Sequence, residues 1–301
     1  MLFEVVLPTD CKVVIPDKSS RENLLTTWHE RFGHVNVQAV QNTAKLYGIK
    51  DVNIKTNEKF VCEACLIGKQ TRKPHVSLNR ISNFQPGEKI HSDVCGPINV
   101  ESPSGSKYFV LFKDENTSFR KVYFLRHKSD IFQFFKTFKA FVEIQTGNKI
   151  KVLRTDNGKE YISKDFTDFL LAAGIVYEFS SAYIHEQNGR AKRDVRTLVK
   201  SAQTMLVNKS VNKQLWTEAI NTACYLLNRV LSNQKNSLTP FEKFFNKKPS
   251  VKHLRIFGSN AFINISKEKR TKLDNKSKKL LIVGYDNESE KKGYGIRKAE
   301  K

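Results

Sequence analysis

Residues 89–180 constrain the fold most, because strand-like and helical patterns alternate there in the order of a mixed sheet. Apolar strand-like runs occupy 89–95, 107–113, 120–126, 149–155 and 175–180, and apolar residues at helical spacing cover 129–145 and 163–173. Three strands in succession, then helix, strand, helix, strand, belong to an α/β domain. Two of these runs end on a carboxylate. Asp93 closes KIHSDVCGP, Asp156 closes KIKVLRTDNGKEY, and thirty-five residues separate Asp156 from Lys192 in HEQNGRAKRD. Asp-Asn-Gly is also a frequent turn, so a purely conformational role stays open for Asp156. A long helix is expected from near Asn188 to Val207. A second, from Asn212 to Val230, carries Leu215, Trp216, Ala219, Ile220, Ala223, Leu226 and Leu227 on one broad apolar face.

From Leu24 to Tyr47 the apolar spacing predicts two or three short helices broken near Gly33 and Gly48, followed by a loop holding CEAC. Four residues separate His29 from His34, twenty-seven separate His34 from Cys62, and two separate Cys62 from Cys65. Two imidazoles and two thiolates suit tetrahedral zinc. The alternative makes the histidines ordinary polar helix residues and the cysteines small apolar ones. A helical unit of about 45 residues with few apolar residues needs a staple, which favours a closed, four-ligand structural site. Cys11, Cys95 and Cys224 are scattered, and the odd total of five cysteines fits a reducing compartment.

Charge is unevenly spread. Residues 190–301 carry 26 Lys and Arg against 9 Asp and Glu, whereas residues 91–189 carry 13 against 12. A near-neutral middle beside a basic last third predicts a site flanked by a polyanion-binding surface, since cations that neutralise phosphates release counterions. A solvated Lys-rich surface is the alternative. No run approaches the roughly eighteen apolar residues of a membrane span, and no basic segment with an apolar stretch follows Met1, so neither a membrane span nor a secretory leader is expected. At 301 residues, 39% apolar and with 21 Phe, the chain has room for two or three small folded domains.

Together these motifs resemble a retroviral-type integrase. They are more closely similar to the integrase of copia-type LTR retrotransposons, whose zinc segment reads WH…GH…C-x-x-C-x-x-GK and whose third acid is a Glu in a run like Q-N-G-x-A-E-R. The resemblance covers residues 21–298. It implies an RNase H-like α/β core preceded by a zinc-binding helical unit and followed by a small SH3-like β unit, the last suggested by HLRIFGSNAF…KSKKLLIVGYD. The corresponding organisation is a loosely ordered leader over 1–20, a zinc-binding pre-integrase unit over 21–75, a catalytic core over 84–235 and a basic β unit over 250–301. The ancestral reaction it implies is 3′-end processing and strand transfer of element DNA, with Mg²⁺ or Mn²⁺ held by Asp93 and Asp156. It also implies DNA as partner, a homo-oligomer, and a nuclear or otherwise cytoplasmic location, in one part of a polyprotein or a freestanding remnant. In the family the helix after Gly189 faces DNA, which makes Lys159, Arg190, Lys192, Arg193, Arg196 and Lys200 candidate nucleic-acid contacts. For the stripe Lys192, Arg196 and Lys200, a solvated helix face is the alternative.

Lys192 departs from that resemblance, because the run reads Gln187, Asn188, Gly189, Arg190, Ala191, Lys192, Arg193. An ammonium stands where the third carboxylate is expected. Two-metal phosphoryl transfer needs ions about 3.5–4 Å apart held by carboxylates, and Lys has no oxygen to offer them. An ammonium about 4 Å from a carboxylate gains roughly 4 kcal/mol at an effective dielectric near 20, before desolvation. Lys192 is therefore expected to pair with Asp93 or Asp156 in place of an ion. Glu186 precedes the helix, and Asp194 points about 200° around it from position 192, so neither replaces the acid. Ala182, Tyr183, Ile184 and His185 stand where the family has P-Y-T-P, and Lys159 where Gly is common. The expectation is a nucleic-acid-binding protein with weak catalysis or none; a Mn²⁺-dependent integrase and a non-enzymatic oligomeric scaffold stay open.

Overall fold

The computed structural model describes residues 13–14, 24–49, 52, 60–69, 83–156, 158–179, 189–231, 237–285 and 294–298. It forms two compact units: Met1–Gln70 with Ser201–Leu226 and Ser250–Lys301, and Thr71–Lys200 with Leu227–Pro249.

In the first unit, β1 is Val13–Val14, α1 is Leu24–Arg31, α2 is Val37–Leu46 and α3 is Glu63–Lys69. Helix α1 stops where Gly33 and His34 both take left-handed backbone (φ 70° and 62°), and Asn36 caps α2 by accepting the Ala39 N–H at 2.7 Å. The CEAC segment, expected as a loop, instead opens α3. Glu63 in its first turn and Lys69 in its last complement the helix dipole. Of the expected leader over 1–20, only Val13–Val14 lie within the described residues. These two pair antiparallel with Phe262 and Ile263, a placement that suits β-branched residues.

The second unit is built on β2 (Lys89–Cys95), β3 (Tyr108–Asp114), β4 (Arg120–Leu125), β5 (Val152–Thr155) and β6 (Val176–Phe179). Their order is β4-β3-β2-β5-β6. Strands β2, β3 and β4 pair antiparallel in succession, while β5 joins parallel to β2 and β6 parallel to β5, giving an RNase H-like mixed sheet. Helices α4 (Ile131–Thr146) and α5 (Lys164–Ala172) bring the aromatic side chains that fill one face. Phe112 of β3 stacks on Phe138 at 4.6 Å between ring centroids, and Phe135 meets Phe166 edge-on at 5.2 Å. Side chains alternate along β2, so Ile90 enters this core while Lys89, His91 and Asp93 line the opposite face.

Helix α6 (Gly189–Asn208) begins in the second unit and runs into the first, where α7 (Trp216–Leu227) follows. Helix α8 (Pro240–Phe245) was not foreseen. Its start is a capping box in which Thr239 and Glu242 bond reciprocally, with Pro240 at the first helical position, and Phe244 stacks on Phe119 at 4.2 Å. Strands β7 (Asn260–Asn264), β8 (Ser277–Tyr285) and β9 (Tyr294–Lys298) complete a sheet ordered β1-β7-β8-β9.

Candidate functional site

The reversal after α1 builds the first candidate centre. Because Gly33 and His34 turn the chain left-handed, the His34 N–H bonds back to the His29 carbonyl at 2.8 Å and the two imidazoles meet edge-on at 5.0 Å between centroids. Helix α3 then delivers the thiols. His29 Nε2 lies 3.2 Å from Cys65 Sγ, His34 Nδ1 lies 3.4 Å from Cys62 Sγ, and all four donor atoms fall within 4.8 Å of one another. Ligands at about 2.0–2.3 Å from a tetrahedral ion lie roughly 3.3–3.8 Å apart, so the two His–Cys pairs already stand near that spacing and the widest pair needs to close by only about 1 Å to hold zinc. Burial holds the imidazoles in the ligating, neutral form, pushing His29 down to about 4 and His34 down to about 3. Burial also pushes the Cys65 thiol up to about 11, a cost that a bound dication would reverse. Two supports were missed in the sequence. The Lys69 ammonium donates to the His34 carbonyl, and Gly68 lets α3 approach α6 so closely that a Cβ there would run into the Thr204 side chain.

The second candidate centre lies on the polar face of the mixed sheet. His91 pairs in register with Arg154 across parallel strands, so two residues further along each strand Asp93 and Asp156 stand side by side. Asp93 is only 6% exposed. Burial and then the neighbouring Asp156 push its carboxyl up to about 7; the Lys192 charge pulls it down, and Glu160 adds to the rise. Asp156 Oδ1 is buried with no hydrogen-bond partner among the described residues. Deeper on the same face, His91 bonds Glu115 at 2.8 Å, and Glu178 joins Lys89 at 3.0 Å and Arg154 at 2.5 Å.

Lys192 is exposed on the first turns of α6, near enough for its charge to act on Asp93. It forms no ion pair with Asp93 or Asp156 among the described residues. The expected direct pairing is thus not made, because a flexible four-carbon stem lets the ammonium keep its hydration. A divalent cation finds two carboxylates here and an unpartnered oxygen, but no third acid at position 192. The donors fit it only in part. Asp194, two residues on, is fully committed elsewhere: Arg120 Nε and Nη2 grip its two oxygens at 3.1 and 3.2 Å, and Lys113 Nζ approaches at 2.5 Å. These two cations hold the Asp194 carboxyl below its usual range despite burial.

Of the candidate nucleic-acid contacts, Arg193 and Arg196 share the exposed side of α6 with Lys192, and Lys200 is half-buried. The side chains of Lys159 and Arg190 lie outside the described residues, as do Glu186 and the Gln187-Asn188 start of the motif.

Comparison with known proteins agrees with this arrangement. Residues 84–184 match the Integrase core domain, residues 8–70 the GAG-pre-integrase domain and residues 259–298 the Retroviral polymerase SH3-like domain. The chain is 40% identical over 87% of its length to the Retrovirus-related Pol polyprotein from transposon TNT 1-94 of Nicotiana tabacum. It is 30% identical over 94% of its length to that from transposon RE1 of Arabidopsis thaliana. The chain spans only 19% of each of these relatives. Among solved structures, it is similar to the HTLV-2 integrase catalytic core domain in complex with magnesium (16% identity, 54% of this chain and 99% of that one, TM-score 0.41). It is also similar to a simian T-cell lymphotropic virus intasome in complex with PP2A regulatory subunit B56 gamma (11% identity, 78% and 84%, TM-score 0.47). The chain thus carries, on a mixed sheet, an integrase core domain between a GAG-pre-integrase domain and a retroviral polymerase SH3-like domain. This domain set and these relatives are consistent with a copia-type retrotransposon integrase.

Proposed function

We propose that this chain is a DNA-binding integrase in which the cation site for 3′-end processing and strand transfer is incomplete. One observation carries the reading: at the helix position beside buried Asp93 stands Lys192, whose ammonium acts against a dication there. Asp93 and Asp156 are the remaining ligands for Mg²⁺ or Mn²⁺, and without a third carboxylate occupancy falls. The His29, His34, Cys62 and Cys65 set holds structural zinc. Arg193, Arg196 and the basic last third supply phosphate contacts, on a homo-oligomer that acts in the nucleus. A strand-joining assay on labelled oligonucleotides, in Mg²⁺ and in Mn²⁺, tests this by comparing the native chain with Lys192→Glu. The expected result is joining by the variant alone; equal joining by the native chain would overturn the impairment.

A second reading is residual Mn²⁺-dependent joining through the two aspartates. It is favoured by the buried Asp156 Oδ1, which has no hydrogen-bond partner among the described residues and which a cation would satisfy. Native joining in Mn²⁺ that Asp156→Asn abolishes would select it.

A further inference from the structure

We propose that Asp194 is a positioning residue: by clamping the first turns of α6 to β3 and β4, it fixes which side chain position 192 presents to Asp93. The inference rests on the cation-site reading of Asp93 and Asp156.

Asp194, Lys113 and Arg120 are 9%, 9% and 8% exposed, so the clamp operates out of water. Its geometry is directional. The guanidinium meets both carboxylate oxygens in a fork while Lys113 takes one of them from the neighbouring strand. Arg120 is itself fixed, since the Asn228 side chain accepts its N–H at 2.9 Å and donates to its carbonyl at 2.8 Å. The other buried residues on this part of α6 are Ala191, Val195 and Leu198. Apolar contacts of that kind tolerate sliding or rolling of a helix. The clamp does not, because a roll of one residue, about 100°, would carry the carboxylate away from two buried cations.

Position matters at this place because β3 links the two features. Leu111 pairs with Asp93 and Lys113 with His91, so the strand that receives Asp194 also flanks the acidic pair. The helix residue two before the clamp is the one whose charge reaches Asp93. A device that holds an ammonium there would hold a carboxylate there equally well.

The experiment is Mn²⁺ titration of the full-length, zinc-loaded chain, read by electron paramagnetic resonance, in a two-by-two set: native, Lys192→Glu, Asp194→Asn and the double variant. Circular dichroism of each checks the fold. Lys192→Glu is expected to bind Mn²⁺ at least tenfold more tightly than the native chain. Asp194→Asn should then erase most of that gain while leaving affinity in the Lys192 background unchanged. Equal loss in both backgrounds, or loss in neither, would overturn the positioning role in favour of a purely structural ion cluster. If Lys192→Glu gains no affinity, the cation-site reading itself fails and the proposal falls with it. Should Asp194→Asn not fold, Lys113→Met carries the test, because it keeps the Arg120 fork. It should lower Mn²⁺ affinity severalfold in the Lys192→Glu background alone, and an unchanged affinity there would overturn the proposal.

Discussion

The two candidate metal centres of this chain differ in how much of each is already in place. The His29, His34, Cys62 and Cys65 cluster brings four complementary donors together, with burial holding both imidazoles neutral and supports at Lys69 and Gly68. The acidic pair brings two like charges together, leaves Asp156 Oδ1 without a partner among the described residues, and has the Lys192 charge acting on it from α6. The difference teaches that a preformed backbone does not make a site. Both centres have their scaffold, but only the first has a complete set of donors.

The largest effect should come from breaking the complete centre. Structural zinc supplies apparent binding energies of about 10–16 kcal/mol to small zinc-dependent folds, so Cys65→Ser or His34→Ala should remove zinc and unfold the 24–69 helices. Elemental analysis should fall from one zinc per chain to none, with loss of helical circular dichroism. Retained helicity without zinc would mean that the cluster is held by packing alone, and the contrast between the centres would collapse.

Completing the incomplete centre comes next. Lys192→Glu restores an oxygen ligand and removes a repelling charge, and a gain in strand joining on the order of 10³-fold corresponds to about 4 kcal/mol of transition-state stabilisation. A gain confined to Mn²⁺ would sharpen the comparison, locating a further defect in the geometry that Mg²⁺ demands.

Both donor sets were legible because chemistry fixes their spacing: a Cys pair across two residues, a His pair across four, and acids at strand ends. The polarity of Lys192 was legible too, though not its exposure, which depends on how a flexible side chain weighs hydration against pairing. The Asp194 clamp was not legible. Lys113 and Arg120 read as surface charges until the β3–β4 register places them opposite each other beneath α6. Helix α3 was missed because seven residues give too short a window for helical periodicity. The capping box of α8 stands in the sequence as Thr239-Pro240-Phe241-Glu242, but a helix of six residues offers too little apolar periodicity beside it to mark an element.

A stability measurement separates the centres in another way. The folded-state Asp93 carboxyl stands near 7, above the roughly 3.9 of an unfolded chain, so the folded protein holds that proton more tightly. The Asp93 contribution to stability is therefore greatest below about pH 4 and declines as pH rises through 7, above which the ionised group costs about 2–4 kcal/mol. Asp93→Asn removes the titration, so in zinc-loaded, Mg²⁺-free buffer the variant should melt higher than the native chain at pH 7–8, with the gap closing toward pH 4. A variant less stable at pH 7 would show that Lys192 neutralises Asp93 by contact, contrary to the separation in the structure.

The smallest effect concerns the exposed side of α6, which lies beside the incomplete centre and need not share its defect. A phosphate contact contributes about 0.9 to the slope of log affinity against log salt on duplex DNA. Arg196→Ala should therefore lower that slope by about one and weaken binding to all sequences alike, as phosphate contacts carry no base information. Fluorescence anisotropy of labelled duplexes between 50 and about 200 mM salt reads both quantities. An unchanged slope would return Arg196 to a solvated helix face. A changed slope in a chain that cannot join DNA would show that binding outlives catalysis when only the third acid is replaced.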